Sequence, residues 1–228
     1  MPLLLFRSAT GALGQAVPQF LRILLDDFNR SNEGPPPSNN WTNGISTFVS
    51  GEGLVVTGNT AARAATGGYR QGSYWSAGSF GANVELAVEV SDWTNTTSNG
   101  LALFLRLATI GTSSTDGYAL AIERSSTATT WYIWRYDNGV ATSLGLGTSQ
   151  AVVAGDLVAF QAIGSELRGY IRTAGSWTLV ISASDSTYSS AGNVGIEVLN
   201  NQQTKITNSW AASLPSSAQS FVTIRPSD

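Results

Sequence analysis

The sequence contains no cysteine and no histidine. Without thiols there are no disulfides, no cysteine nucleophile and no thiolate metal site; without imidazole the usual general base and the commonest metal ligand are missing. A serine triad of the usual kind cannot be assembled, and no Gly-x-Ser-x-Gly elbow occurs. Charge is sparse too. Arginine and lysine together number 12, spread singly against 15 acidic residues, which leaves no electrostatic footprint for a phosphate backbone, so nucleic acid is not an expected partner. Long apolar runs are also absent: Leu3-Leu4-Leu5-Phe6 stops at Arg7, and Phe20 to Leu25 is interrupted by Arg22. Neither a signal peptide nor a membrane span is expected. The glycine-rich stretch Gly72 to Gly81 lacks the Lys-Ser/Thr ending of a phosphate loop and reads as turns.

What remains is a chain of short alternating segments punctuated by Gly, Asn and Asp. Tyr118, Leu120 and Ile122 point one way and Ala119, Ala121 and Glu123 the other. The same period of two separates Leu167, Gly169 and Ile171 from Arg168, Tyr170 and Arg172, and Val194, Ile196 and Val198 from Gly195, Glu197 and Leu199. These predict antiparallel strands with one face buried. Val84, Leu86, Val88 and Val90 alternate with Glu85, Ala87 and Glu89, and Leu101, Leu103, Leu105 and Leu107 with Ala102, Phe104, Arg106 and Ala108; the two strands are expected to pair and lie centrally. From Ile45 to Phe80, glycines mark the bends of several short hairpins. In Trp131-Tyr132-Ile133-Trp134-Arg135-Tyr136, Trp131 and Ile133 can fill a core while Tyr132, Trp134 and Tyr136 face away. Such a row is either a sugar platform, because a flat ring covers the apolar face of a sugar, or one side of a strand buried on both faces.

Several motifs, in order, resemble the laminin-G-like, concanavalin A-like lectin and glucanase jelly roll. They are Leu25-Asp26-Asp27-Phe28-Asn29-Arg30 with Trp41-Thr42, Gly117 to Ile122, Trp131 to Arg135, Gly155-Asp156-Leu157-Val158, Gly164-Ser165-Glu166-Leu167, Trp177, Asp185 to Tyr188, and Gly192 to Ile196. The resemblance implies an all-β fold: a two-sheet antiparallel jelly-roll sandwich over residues 21–213, with Lys205 to Ala212 returning beside the opening strand. Extended arms occupy residues 1–20 and 214–228. Exposed leucines in the first, and the alternation of Phe221, Val222 and Ile224 in the second, suggest assembly with neighbouring subunits and a homo-oligomer. Many members of the family hold one calcium ion, and the resemblance points to Asp26 or Asp27 as contributor, although Thr207-Asn208-Ser209 stands where an acidic pair is usual.

Related glucanases carry Glu-x-Asp-x-Glu on one strand. Here Glu85 and Glu89 bracket Ala87 in place of the aspartate, and the two glutamate Cα atoms would stand about 13 Å apart, against the roughly 5 Å carboxyl separation of a retaining glycosidase. No catalytic role is therefore expected, and these glutamates are read as a solvated sheet face. The functional expectation is a non-catalytic bacteriophage virion protein of the minor tail or adhesion type, displayed on the particle exterior and contacting host glycan or protein. The alternatives are a capsid decoration protein and a soluble carbohydrate-binding module or inactive glucanase relative. Candidate ligand contacts are Tyr74, Trp75, Trp93 and Trp134.

Overall fold

The computed structural model describes residues 22–45, 52–64, 70–94, 99–111, 113–125, 128–199 and 204–215. Their strands are β1 (Ile23–Asp26), β2 (Trp41–Asn43), β3 (Leu54–Thr57), β4 (Thr60–Arg63), β5 (Arg70–Trp75), β6 (Val84–Trp93), β7 (Asn99–Thr109) and β8 (Asp116–Arg124). The series continues with β9 (Thr129–Asp137), β10 (Val140–Leu146), β11 (Leu157–Ile163), β12 (Glu166–Thr173), β13 (Ser176–Ser184), β14 (Asn193–Leu199) and β15 (Thr204–Ser213). They form two antiparallel sheets. The first runs β13-β12-β11-β6-β15-β4-β3, with β1 also on β15, and the second runs β10-β9-β8-β7-β14-β5-β2. This is the expected all-β jelly-roll sandwich, and the last strand does return beside the opening one, Leu24 opposite Trp210.

Alternating residues of both sheets meet between the layers. Leu86, Val88 and Val90 from the first sheet pack with Leu101, Leu103, Tyr118, Leu120, Ile122, Trp131, Ile196 and Val198 from the second. Each such side chain removed from water contributes about 1.5–3 kcal/mol before the entropy of ordering is subtracted. The expected pairing of β6 with β7 does not occur. β6 lies between β11 and β15, and β7 between β8 and β14, so the two strands face each other across the core. Alternation fixes which side of a strand is apolar, and that pattern is the same whether its neighbour is a hydrogen-bonded partner or the opposite layer.

Two further expectations change. The outward residues of β8, Ala119 and Ala121, are buried as well as the inward ones, because Phe104, Tyr136, Tyr132 and Trp134 pack around them on the outer face. Glu85 is not solvated: it is fully buried, takes an ion pair from Arg22 Nε at 2.5 Å and accepts a hydrogen bond from Gln161 Nε2 at 2.7 Å. One end of the sandwich is tied by Arg106, which sits in an irregular stretch of β7 with φ 52°. Its buried guanidinium donates to three carbonyls, Ala82 O at 2.6 Å, Gly164 O at 2.8 Å and Tyr188 O at 2.9 Å. The arm over residues 1–20 lies outside the described residues, as do Phe221, Val222 and Ile224. Of residues 214–228 only Leu214 and Pro215 are described, and Leu214 is buried with its N–H donating to Asn83 O at 2.7 Å.

Candidate functional site

The register of the second sheet determines what its outer face presents. Inward residues on β7, β8, β9 and β14 are in the core, so their alternates form rows across the outside. One row reads Tyr74, Gly195, Phe104, Ala119, Trp134; the next reads Gly72, Glu197, Ala102, Ala121, Tyr132; the third reads Arg70, Leu199, Gly100, Glu123, Thr130. Small residues therefore floor the middle, with large rings on β9 at one side. Ile45 closes the centre of this face. It is fully buried and seats on Gly195, where a Cβ would collide with its Cδ1. Beside the covered centre, the half-buried rings of Tyr132 and Trp134 stack along β9 with centroids 5.3 Å apart and planes at 28°.

At the end of this face the strand termini leave a cavity of about 200 Å³ lined by Asn99, Glu123, Arg124, Ser125, Thr130, Tyr132 and Leu199. Gly100 makes the floor possible, since a Cβ there would stand 2.9 Å from Leu199 Cβ. The Glu123 carboxylate is steadied by Arg70, whose Nη2 donates to Oε1 at 2.8 Å while Nη1 donates to the fully buried Glu197 at 3.1 Å. Burial alone would lower the Arg70 pKa, but the Glu197 and Glu123 carboxylates outweigh it and the net shift is upward. The guanidinium is thus held charged beneath the rim. Chemically, the lining offers one aromatic ring wall, a fixed carboxylate acceptor, an amide, hydroxyls and a cation. That combination suits a hydroxylated ring with an apolar face.

Other surfaces are less suited. The outer face of the first sheet carries Tyr170, Trp177 and Trp210 over Ala87 and Ala159, but Arg22 lies over the Trp177 ring at 5.0 Å and fills that position. A depression of about 430 Å³ beside Asp26 is lined by Leu25, Arg30, Glu33 and Ser38 to Asn40; it has no aromatic wall, and its charges are spent on one another. Arg30 donates to Asp26 at 2.5 and 2.9 Å and to Glu33, and Trp41 Nε1 donates to Asp26 at 3.0 Å. This also bears on calcium. Asp26 is neutralised by a guanidinium, Asp27 accepts from Asn29 N, and among the described residues no group of three or more His, Cys, Asp or Glu gathers for a metal. The pair does not fit a calcium site in this arrangement.

The four aromatic residues named from the sequence do not come together. Tyr74 and Trp134 both face outward, yet β5 and β9 are four strand spacings apart, about 19 Å. Trp75 turns inward and meets Trp41 edge to face at 5.4 Å. Trp93 is 6% exposed and belongs to the core, which corrects its reading as a surface ring. Tyr132 shares the outward phase of Trp134 and was legible in the alternation of β9; Asn99, Glu123, Arg124 and Thr130 gave no such signal, because they meet only where three strand ends converge.

No protein-family model matches the sequence, and no curated protein is similar to it at the level of sequence. Solved structures do share its architecture. A legume lectin-like domain from Entamoeba histolytica superposes with a TM-score of 0.57 at 12% identity, over 77% of this chain and 91% of that one. The carbohydrate-binding module CBM66 from Bacillus subtilis gives 0.53 at 17%, over 74% and 91%. The CBM2 module of the evolved Dit of Lactobacillus casei BL23 phage J-1 gives 0.57 at 12%, over 85% and 96%. At these identities the likeness is one of fold: the chain is a two-sheet jelly roll of the architecture these domains share.

Proposed function

We propose that this domain is a non-catalytic glycan-binding module that holds a sugar ring in the rim cavity of the second sheet. The observation that carries the reading is the cavity itself, in which the Tyr132 ring faces the same space as a carboxylate fixed by Arg70. In this reading Tyr132 covers the apolar face of the sugar, Glu123 accepts from its hydroxyls, and Asn99 and Thr130 line the rest of the space. Solved structures of the same fold described as lectin-like domains and carbohydrate-binding modules support it. Calcium has no part in the proposed contact. A glycan array followed by calorimetric titration of the strongest binder tests this. Tyr132→Ala should weaken binding by about tenfold or more, the loss expected for one desolvated aromatic contact, while binding persists in EDTA. Unchanged affinity in Tyr132→Ala and Glu123→Gln, or an array without binders, would remove the proposal.

A second reading sets the module on a bacteriophage particle, as a minor tail or adhesion component or a capsid decoration. The phage Dit module among the structural neighbours favours it, together with the apolar residues toward each end of the sequence, which would join it to other virion subunits or to further copies of itself. Immunogold labelling of purified particles tests the placement, and protein found free in the culture and absent from particles would refute it.

A further inference from the structure

We infer that the rim cavity is built for an acidic glycan, with Arg124 receiving a carboxylate carried by the sugar; the inference rests on the glycan-binding reading above. Arg124 lines the cavity beside Tyr132, Glu123 and Thr130. Its Nε is buried and has no hydrogen-bond partner among the described residues. This is out of keeping with the other arginines among the described residues. Arg22, Arg30, Arg70, Arg135 and Arg168 form ion pairs with carboxylates, and Arg106 and Arg172 donate to carbonyls. Arg63 also has a partner.

The acceptor nearest in sequence, Glu123, is already engaged by Arg70, and the Asn99 amide is turned to Thr94 O. The cavity is therefore lined by a guanidinium whose Nε is left unused by its described neighbours. A buried donor without an acceptor is costly and rarely retained unless something else fills the role. Guanidinium presents its N–H groups in a planar fork that matches a carboxylate in two parallel hydrogen bonds. Hydroxyl groups of a neutral sugar would satisfy it less well. A ligand that stacks on Tyr132 and places a carboxylate over Arg124, with its hydroxyls toward Glu123, uses both charged groups of the cavity and its ring. A uronic acid residue has this chemistry.

The full chain is applied to an array of neutral, carboxylate-bearing and phosphate-bearing glycans. The best carboxylate-bearing oligosaccharide is then titrated as the free acid and as its methyl ester, which keeps the ring and removes the charge. The wild-type chain should bind the acid about tenfold or more tightly than the ester, in line with one charge-assisted hydrogen-bonded contact. Arg124→Gln should erase that preference by weakening the acid far more than the ester, and Arg124→Lys should restore part of it. The preference should also shrink as salt is raised. Equal binding of acid and ester, or loss of both in a folded Arg124→Gln variant, overturns the inference. Binding confined to neutral glycans overturns it while the glycan-binding function stands. Binding confined to phosphate-bearing glycans overturns the carboxylate assignment, and an array with no binder overturns both readings together.

Discussion

Arg106 offers the sharpest test of how this sandwich is held together. The side chain is 2% exposed and donates to Ala82 O, Gly164 O and Tyr188 O at 2.6, 2.8 and 2.9 Å. These carbonyls belong to three separate stretches: the approach to β6, the β11–β12 turn and the segment following β13. Burial disfavours the charge and holds the Arg106 pKa below its usual value, Tyr118 opposing it only in part. Hydrogen bonds from a charged donor contribute about 1.5–3 kcal/mol each, and the desolvation of the guanidinium offsets a share of the three. Arg106→Ala leaves all three carbonyls without a donor and opens a cavity, and should cost about 3–5 kcal/mol, a large part of the roughly 5–15 kcal/mol stability of a domain. Alanine at this position keeps the positive φ, so the loss reports the side chain. Arg106→Lys keeps the charge but cannot reach all three carbonyls, and should fall between the two. Urea denaturation followed by tryptophan fluorescence gives the midpoint and slope; an unchanged slope with a shifted midpoint identifies a change in stability. A loss below about 1 kcal/mol in Arg106→Ala, as at an ordinary surface position, or a lysine variant equal to the wild type, would refute the argument.

Core and surface tryptophans should separate in the same assay. Trp93→Ala empties a core site and should cost about 3–5 kcal/mol, whereas Trp134→Ala gives up a half-exposed ring and its stack on Tyr132 and should cost about 1–2 kcal/mol; equal losses would contradict the register of β6 and β9. Acid should weaken the polar cluster at the other end of β8. Burial acts to raise the Asp185 carboxyl, but hydrogen bonds from Tyr118 Oη, Thr187 and Arg135 prevail and lower it from 3.8 to about 2. A depressed carboxylate stabilises the fold fully above its unfolded pKa and loses that contribution as pH falls through its folded one. Stability from Asp185 should therefore be complete above about pH 4 and lost towards pH 2, by roughly 1 kcal/mol after solvent screening. The difference between wild type and Asp185→Asn in urea midpoint should shrink over that window; a constant difference from pH 6 to 2.5 would refute the assignment.

Much of the fold was legible because period two is a direct consequence of the pleat. Tyr118, Leu120 and Ile122, and likewise Val194, Ile196 and Val198, face the core as their alternation requires. Partners were less legible. Consecutive strands β6 and β7 belong to different sheets, and nothing in the apolar pattern of either distinguishes that arrangement from a hairpin. Trp93 shows a second limit. Inward residues of β6 are even-numbered from Val84 to Val90, but the ladder slips where Lys205 pairs with Asp92 and Ile206 with Val90. Ser91 is left over, the phase inverts, and odd-numbered Trp93 enters the core. In β5 the inward residues beside Trp75 are Gln71 and Ser73, polar side chains that accept from the N–H groups of Ala64 and Leu54. They hide the alternation that would have placed Trp75 inside and Tyr74 outside.

The rim cavity was invisible for a different reason: it is made by ends of strands, and its chemistry depends on a residue beneath it. Glu123 is 39% exposed at its side chain and Arg70 only 12%, so the carboxylate is presented by a cation that water barely reaches. A single carboxylate partner would leave that buried guanidinium poorly compensated. Glu197, fully buried on the adjacent strand β14, supplies the second. Glu197 is therefore a positioning residue: it does not line the cavity, yet it is what allows Arg70 to sit beneath Glu123. The centre of the same face is sealed by Ile45 on Gly195, which leaves the rim as the part of the sheet where side chains can change without opening the core. The sealed centre and the rim proposed to bind glycan thus share one sheet face, with Arg70 and Glu197 joining them.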